Sequence, residues 1–115
     1  MAQVFKIMGH EEWAGFQGTG SFTGSVVDHK DGFIHLSHSH QVAETARRHF
    51  AGQAGLMLVA LSAEALGSAL RDEPSRGGDL FPHAYEPLAM TAVLWAKPMP
   101  LWPDGVPLCP NLEDE

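Results

Sequence analysis

The longest apolar run of the sequence covers residues 56–61 and is bounded by Gly55 and Ser62. Six apolar residues between turn-forming positions predict a β-strand that is buried in a protein core. The run is far shorter than the roughly 20 apolar residues that span a membrane, so we expect no membrane segment. A chain of 115 residues is long enough for one hydrophobic core around this strand, but too short for two.

Hydrophobic periodicity and turn residues predict the elements around this strand. Strands are predicted at 4–8, 33–36, 56–61, 69–71, 80–81 and 90–95, and helical segments at 10–17, 42–50 and 62–66. The stretch 18–25 is rich in turn formers and is predicted to be a loop, and Asp31-Gly32 is a turn that begins the second strand. The order of these strands and helices along the chain predicts an α+β fold in which two main helices pack on a mixed, curved sheet.

Five prolines after Lys97 limit the extent of this domain. Proline cannot donate to a sheet ladder, so prolines at 98, 100, 103, 107 and 110 are expected to exclude regular strands. We therefore predict one α+β domain at 1–98 and a proline-rich extension at 99–115 that packs on it or trails from it. Leu101 and Trp102 are the expected anchors of the extension.

Charge and cysteine content restrict the partners of the protein. Its formal net charge is −7 with only seven lysines and arginines, and long nucleic acids need many such cations to release counterions. We therefore expect no extended nucleic-acid surface, although a pocket for one phosphate needs only one or two cations. The single cysteine, Cys109, cannot form an internal disulfide, and no signal peptide is visible, which predicts a cytoplasmic protein.

His35 is the residue of the predicted strands that most suggests chemistry. In a strand, His35 and Ser37 lie on one face while Leu36 points to the core. Two polar groups on one face suit a ligand better than a core, and an imidazole near neutral pH can donate or accept. The structural alternative is a half-buried histidine whose ring bonds to backbone.

Seven histidines, three of them at 35, 38 and 40, raise the question of a metal site. His38 and His40 lack the i, i+4 spacing of a helical zinc pair, and the chain has no cysteine pair and no HExxH sequence. We interpret both residues as solvent-facing loop histidines and predict no metal ligands. A histidine-based metal site remains as a third hypothesis, after the two binding hypotheses that are given below.

A second polar group occupies residues 73–85, EPSRGGDLFPHAY. A loop that carries a carboxylate, a hydroxyl, a guanidinium, an imidazole and a phenol is typical of a site on a scaffold. The residues concerned are Glu73, Ser75, Arg76, His83 and Tyr85. The alternative is a polar hairpin in which Glu73 pairs with Arg76 and Tyr85 packs down. Trp13 and Phe16, three residues apart on a helix, are predicted core residues, with Trp13 on a pocket rim as the alternative.

These motifs resemble a bacterial family called domain of unknown function 952. The resemblance covers roughly residues 3–95 and rests on Glu12-Trp13, GFIHLS at 32–37, Thr45-Ala46, FAGQ at 50–53 and the 73–85 motif. It implies a fold similar to the ADP-ribosyltransferase superfamily, particularly its RNA 2′-phosphotransferase branch, with NAD bound in a cleft on a split, mixed sheet. His35 and Ser37 match that superfamily's apolar-His-apolar-Ser strand motif. Its first-strand histidine falls on Lys6, a departure from the motif, because a lysine ammonium cannot accept a hydrogen bond as an imidazole can.

The resemblance and the residues together predict a small-molecule site around His35 for a nucleotide or an NAD- or ADP-ribose-like ligand. In this hypothesis His35 and Ser37 contact ribose hydroxyls, Arg76 binds phosphate, and Tyr85 or Trp13 stacks on a ring. Lys6, Ser75 and His83 complete the predicted ligand contacts. ADP-ribosyl transfer is the reaction class implied, with His35 and Glu73 as catalytic residues. The rival hypothesis is a non-catalytic module that binds a metabolite or a protein, and the sequence does not specify an oligomeric state.

Overall fold

The predicted central strand is β4 (Leu56–Ser62), which pairs antiparallel with β1 (Gln3–Met8) on one side and β8 (Val93–Met99) on the other. The structure is a computed structural model that describes residues 2–110 and 112, without the side chain of Arg76. Alternate residues of β4 point to opposite faces of the sheet. Val59 and Leu61 belong to one hydrophobic cluster, and Leu56, Leu58 and Ala60 belong to a second. The predicted burial is confirmed for five of the six residues 56–61, with Met57 partly buried, because both faces of the sheet are covered.

The other elements follow in chain order. Four helices are described, α1 (His10–Thr19), α2 (Val26–Asp31), α3 (Val42–His49) and α4 (Ala63–Leu66). The remaining described strands are β2 (Ser21–Phe22), β3 (Ile34–His35), β5 (Leu70–Pro74), β6 (Leu80–Ala84) and β7 (Leu88–Ala89). Short 3₁₀ turns lie at Ser39–Gln41, Gly67–Ala69, Arg76–Gly78 and Met90–Ala92. In this part of the chain, no helix is long and apolar enough to cross a membrane.

The strands form three small antiparallel sheets, in the orders β1-β4-β8, β2-β7 and β3-β6-β5. The α+β class is confirmed, but the expected mixture of strand directions is not found among the described ladders. The two larger sheets meet at one isolated bridge, where the backbones of Phe5 and Ser37 exchange two hydrogen bonds of 2.9 Å. Beside this bridge, hydrogen bonds of side chains connect β1 with β3. The space between these two strands forms part of the candidate site.

Helix α2 lies in a region where no helix was predicted. The predicted loop at 18–25 contains β2, and α2 follows it immediately. Ser25 and Asp28 form a reciprocal capping box at the start of α2, and Gly32, at φ +85°, ends it in the left-handed conformation. Asp28 is the buried residue of α2, whereas Val26 and Val27 are 86% and 58% exposed. The usual apolar stripe is absent from this helix, which is why periodicity did not indicate it.

The proline-rich segment departs from expectation at its start. β8 continues through Pro98 to Met99, because it is an edge strand and a missing donor can be tolerated there. Leu101 and Trp102 are 40% and 53% exposed, so they do not anchor the extension as predicted. Instead, Cys109 and Leu112 pack against the second hydrophobic cluster. The division into residues 1–98 and 99–115 stays a prediction.

Candidate functional site

A cavity of about 910 Å³ opens beside the bridge between the two larger sheets. Segments of β1, α2, β3, α3 and the 75–83 region contribute to its walls. Its polar lining includes Lys6, Asp28, Asp31, His35, Ser37 and His83. Its volume lies within the range of roughly 300–1,000 Å³ that is usual for small-molecule and cofactor sites.

The carboxylate of Asp28 organises the wall between β1 and β3. Its Oδ1 accepts hydrogen bonds from the His35 backbone N–H at 3.1 Å and from His35 Nδ1 at 2.7 Å. Its Oδ2 accepts hydrogen bonds from Lys6 Nζ at 2.9 Å and from the Ser25 backbone N–H at 2.8 Å. Burial raises the pKa of Asp28, but the His35 hydrogen bond, the Lys6 charge and the backbone donors together hold it well below its ordinary value.

His35 faces carboxylates at both ring nitrogens. Nδ1 is bonded to the buried Asp28, and Nε2 lies 2.8 Å from Oδ2 of Asp31, at the end of α2. An imidazole can present protons to two carboxylates only in its doubly protonated form. The side chain of His35 is 33% exposed and that of Asp31 is 41% exposed, whereas that of Asp28 is 2% exposed. One carboxylate is therefore a fixed part of the fold and the other lies at the solvent.

Lys6 lies in the cavity wall, but its ammonium group is already used. Nζ donates to both carboxylate oxygens of Asp28, at 3.2 and 2.9 Å, and to the carbonyl oxygen of His35 at 2.9 Å. An ammonium group has three donors, so this set satisfies Lys6 completely. Its charge compensates Asp28, and the predicted role of Lys6 as a ligand contact stays a prediction.

His83 forms a second pair of histidine and carboxylate. Its Nδ1 lies 2.8 Å from Oε1 of Glu73, which also accepts a 2.5 Å hydrogen bond from the Tyr85 hydroxyl. The hydrogen bonds from Tyr85 and then His83 lower the pKa of Glu73, and the Glu73 contact raises the pKa of Tyr85. His83 is 4% exposed and lines the cavity, and its described side-chain hydrogen bond is the one at Nδ1.

The two histidines are neighbours. His35 and His83 are directly paired in the β3-β6 ladder, and their ring centroids lie 5.7 Å apart. The ring of Phe33 stacks on His83 at 4.0 Å and lies 4.7 Å from His35. The arrangement holds two imidazoles side by side on one cavity wall, each with Nδ1 fixed by a carboxylate.

The structure brings some predicted site residues together and separates others. Lys6, His35, Ser37, Ser75 and His83 line the cavity. Ser37 Oγ lies 3.3 Å from Oγ1 of Thr45, and Leu36 is buried in the core as expected.

The remaining predicted site residues lie elsewhere. Trp13 packs edge-on against Phe16 at the first hydrophobic cluster, which excludes it from the described cavity lining and supports its core interpretation. Tyr85 and Glu73 support His83 rather than lining the cavity. The side chain of Arg76 lies outside the described residues, so its predicted phosphate contact stays a prediction.

The sequence prediction missed Asp28 and Asp31, although both are central to the site. The signal that indicates Asp28 is the Ser25-x-x-Asp28 capping box, followed by Gly32 as a helix end. Capping chemistry identifies the helix but not the inward direction of the Asp28 carboxylate. That direction depends on Lys6, which is 22 residues away in the chain.

The cavity carries more negative than positive charge. Its described lining includes five carboxylates and two fixed cations, namely Glu12, Asp28, Asp31, Glu44 and Asp79 against Lys6 and Arg48. Glu44 accepts hydrogen bonds from Arg47 and Arg48, which lower its pKa to about 2. The excess of carboxylates disfavours ligands with several phosphates.

His38 and His40 stack on each other, with ring centroids 5.9 Å apart, and His38 Nε2 lies 2.8 Å from Oδ1 of Asp72. Within residues 2–110 and 112, no group of three or more histidine, cysteine or acidic side chains is placed to hold a metal ion. The structure therefore offers no ligand set for the metal hypothesis in that part of the chain.

Comparison with known proteins links the chain to one family. A family model described as a protein of unknown function, DUF952, matches residues 7–96. The crystal structure of protein CC0527 from Caulobacter crescentus is similar, with 48% identity, coverage of 91% of this chain and 92% of that chain, and a TM-score of 0.88. The solution NMR structure of CC0527 shares 48% identity over 93% of this chain and 92% of that chain, with a TM-score of 0.83. A search of curated proteins found no match.

Proposed function

We propose that this chain, which belongs to the DUF952 family of proteins of unknown function, binds a ribose-bearing small molecule of the nucleotide type in the cavity beside His35 and His83. The observation that carries this proposal is the pair of histidines on the cavity wall. His83 is 4% exposed and lines the cavity, its Nδ1 is fixed by Glu73, and its ring lies 5.7 Å from that of His35. A ligand hydroxyl can bond to Nε2 of His83, because a few fixed polar groups orient a ligand in such a cavity.

The shape of the site also favours a nucleotide-type ligand. Val26 and Val27 give α2 an exposed apolar surface that lines the cavity, while His35 and His83 occupy a polar wall. A nucleoside has the matching combination of an apolar ring face and a polar ribose. The excess of carboxylates favours a ligand with one phosphate over NAD or ADP-ribose, which each carry two.

Binding without turnover is the function we propose, ahead of the ADP-ribosyl transfer implied by the sequence resemblance. Glu73, the expected catalytic carboxylate, is occupied by His83 and Tyr85 and does not line the described cavity. Lys6, at the position of the resembling proteins' first-strand histidine, is bonded to Asp28. Neither group is therefore available to act on a bound ribose in this arrangement.

Isothermal titration calorimetry with adenosine, AMP, ADP-ribose and NAD tests the proposal. We expect AMP to bind most tightly, and His83→Ala to weaken its binding by about tenfold or more, since one buried hydrogen bond is lost. His10→Ala is the matched control, because His10 is exposed and does not line the described cavity. Absence of binding heat for all four compounds at millimolar concentration would refute the proposal.

A further inference from the structure

We infer that Nε2 of His35 is a binding site for an oxyanion, a phosphate or carboxylate oxygen, and that the protein's own Asp31 occupies this site in the unliganded form. Asp31 Oδ2 lies 2.8 Å from Nε2, where a ligand oxygen would lie. The inference deepens the proposed function, on which it rests, because it names the charged group of the ligand and the protein atom that receives it.

The two carboxylates on His35 have different roles. Asp28 is buried and also bonds to Lys6 and to the backbone of Ser25 and His35, so it cannot leave without breaking several hydrogen bonds. Asp31 is 41% exposed in its side chain, and its described contact is the one with His35. Asp28 therefore orients the ring and keeps Nε2 facing the cavity, while Asp31 can be exchanged.

Helix α2 is attached in a way that permits this exchange. Its buried residue is a carboxylate, and its two valines are exposed, so little apolar contact holds the helix against the sheet. An exposed ion pair contributes little to the stability of a protein. Displacement of the Asp31 carboxylate from His35 therefore costs little.

The charge around His35 selects the incoming group. Asp28 and Asp31 face its ring from α2, Lys6 bonds to its carbonyl oxygen from β1, and His83 lies beside it on β6. Lys6 and Asp28 compensate each other, which leaves Nε2 of His35 and the Asp31 carboxylate as the exchangeable contact. A single oxyanion that replaces Asp31 preserves this balance, provided that the Asp31 carboxylate moves out to solvent.

NMR titration of the His35 ring signals with inorganic phosphate and with acetate tests this inference. Asp31→Asn removes the competing charge, so we expect both anions to bind about twofold to fivefold more tightly than to the unmodified protein. Asp31→Ala gives a second variant without an amide that could bond to the ring. Asp72→Asn is the control, because Asp72 pairs with His38 and does not line the described cavity.

Equal anion affinity in the Asp31 variants and the unmodified protein, or no response of the His35 ring, would overturn the inference. If AMP binds but either of these two outcomes is observed, the proposed function stands and this inference fails. If phosphate binds at His35 but no nucleotide binds, the oxyanion site stands and the proposed function fails.

Discussion

His35 and His83 are cross-strand partners whose rings lie 5.7 Å apart on the wall of one cavity, each with Nδ1 fixed by a different carboxylate. The carboxylates come from separate parts of the fold, Asp28 from α2 and Glu73 from β5. Each imidazole is thus held in one orientation, which is what a binding site requires of its polar groups. The two rings differ in their carboxylate contacts, because Nε2 of His35 also faces Asp31, whereas the described side-chain hydrogen bond of His83 is the one at Nδ1.

Replacement of the buried carboxylate should destabilise the fold. Asp28→Asn leaves the Lys6 ammonium and the His35 ring without their counter-charge in a buried setting, and we expect a loss of about 3 kcal/mol or more in the free energy of unfolding. Urea denaturation followed by circular dichroism measures this value. Asp72→Asn, at a half-exposed pair with His38, should cost less than about 1 kcal/mol. Equal losses in the two variants would contradict this account.

The stabilisation provided by Asp28 should depend on pH. Its pKa in the folded protein lies below that of an unfolded aspartate, about 3.9, so the unfolded state takes up a proton first as the solution is acidified. The contribution is therefore fully present above about pH 5 and is lost progressively as the pH falls below about 4. We expect the stability difference between the unmodified protein and Asp28→Asn to shrink over that range in urea titrations. A difference that stays constant down to pH 2 would show that the charge of Asp28 is not the cause.

Tyr85 reports directly on the Glu73 contact, because it is the single tyrosine of the chain. The hydrogen bond to Glu73 raises the pKa of Tyr85, so Glu73→Gln should return this pKa toward its ordinary value of about 10. Tyrosinate absorbance during an alkaline titration measures the change without interference. Glu86→Gln, which alters the exposed carboxylate next in sequence, should leave the Tyr85 pKa unchanged. Equal titration curves in Glu73→Gln and the unmodified protein would rule out the hydrogen bond.

Cys109 should be an unreactive thiol in the folded protein. Burial raises its pKa, and Sγ donates to the carbonyl oxygen of Pro110 at 3.4 Å while the side chain packs against the second hydrophobic cluster. Because the thiolate is the reactive form, we expect reaction with a disulfide reagent at pH 8 to be about tenfold slower in the native protein than in urea. Equal rates in the two conditions would show that the segment around Cys109 leaves the core readily.

Sequence patterns predicted elements well where burial follows a regular period. The run at 56–61 and the alternation around β1 indicated strands correctly, and the spacing of Val42 and Ala46 indicated α3. They failed at α2, whose inward side chain is an aspartate, and at Pro98, which an edge strand accommodates. Residues 35, 37 and 83, which the sequence singled out as polar residues in or beside apolar strands, line the cavity, and their roles toward a ligand stay predictions.

Local sequence was sufficient for the family, the α+β class and the buried central strand, because these depend on motifs and on a two-residue period. The pairing of the polar groups was decided by tertiary contacts between distant segments. Lys6, a predicted ligand contact, neutralises Asp28 from another element. Glu73, a predicted catalytic residue, orients His83. A charged side chain takes the partner that the fold brings within about 3 Å, and that partner is not encoded by spacing along the chain.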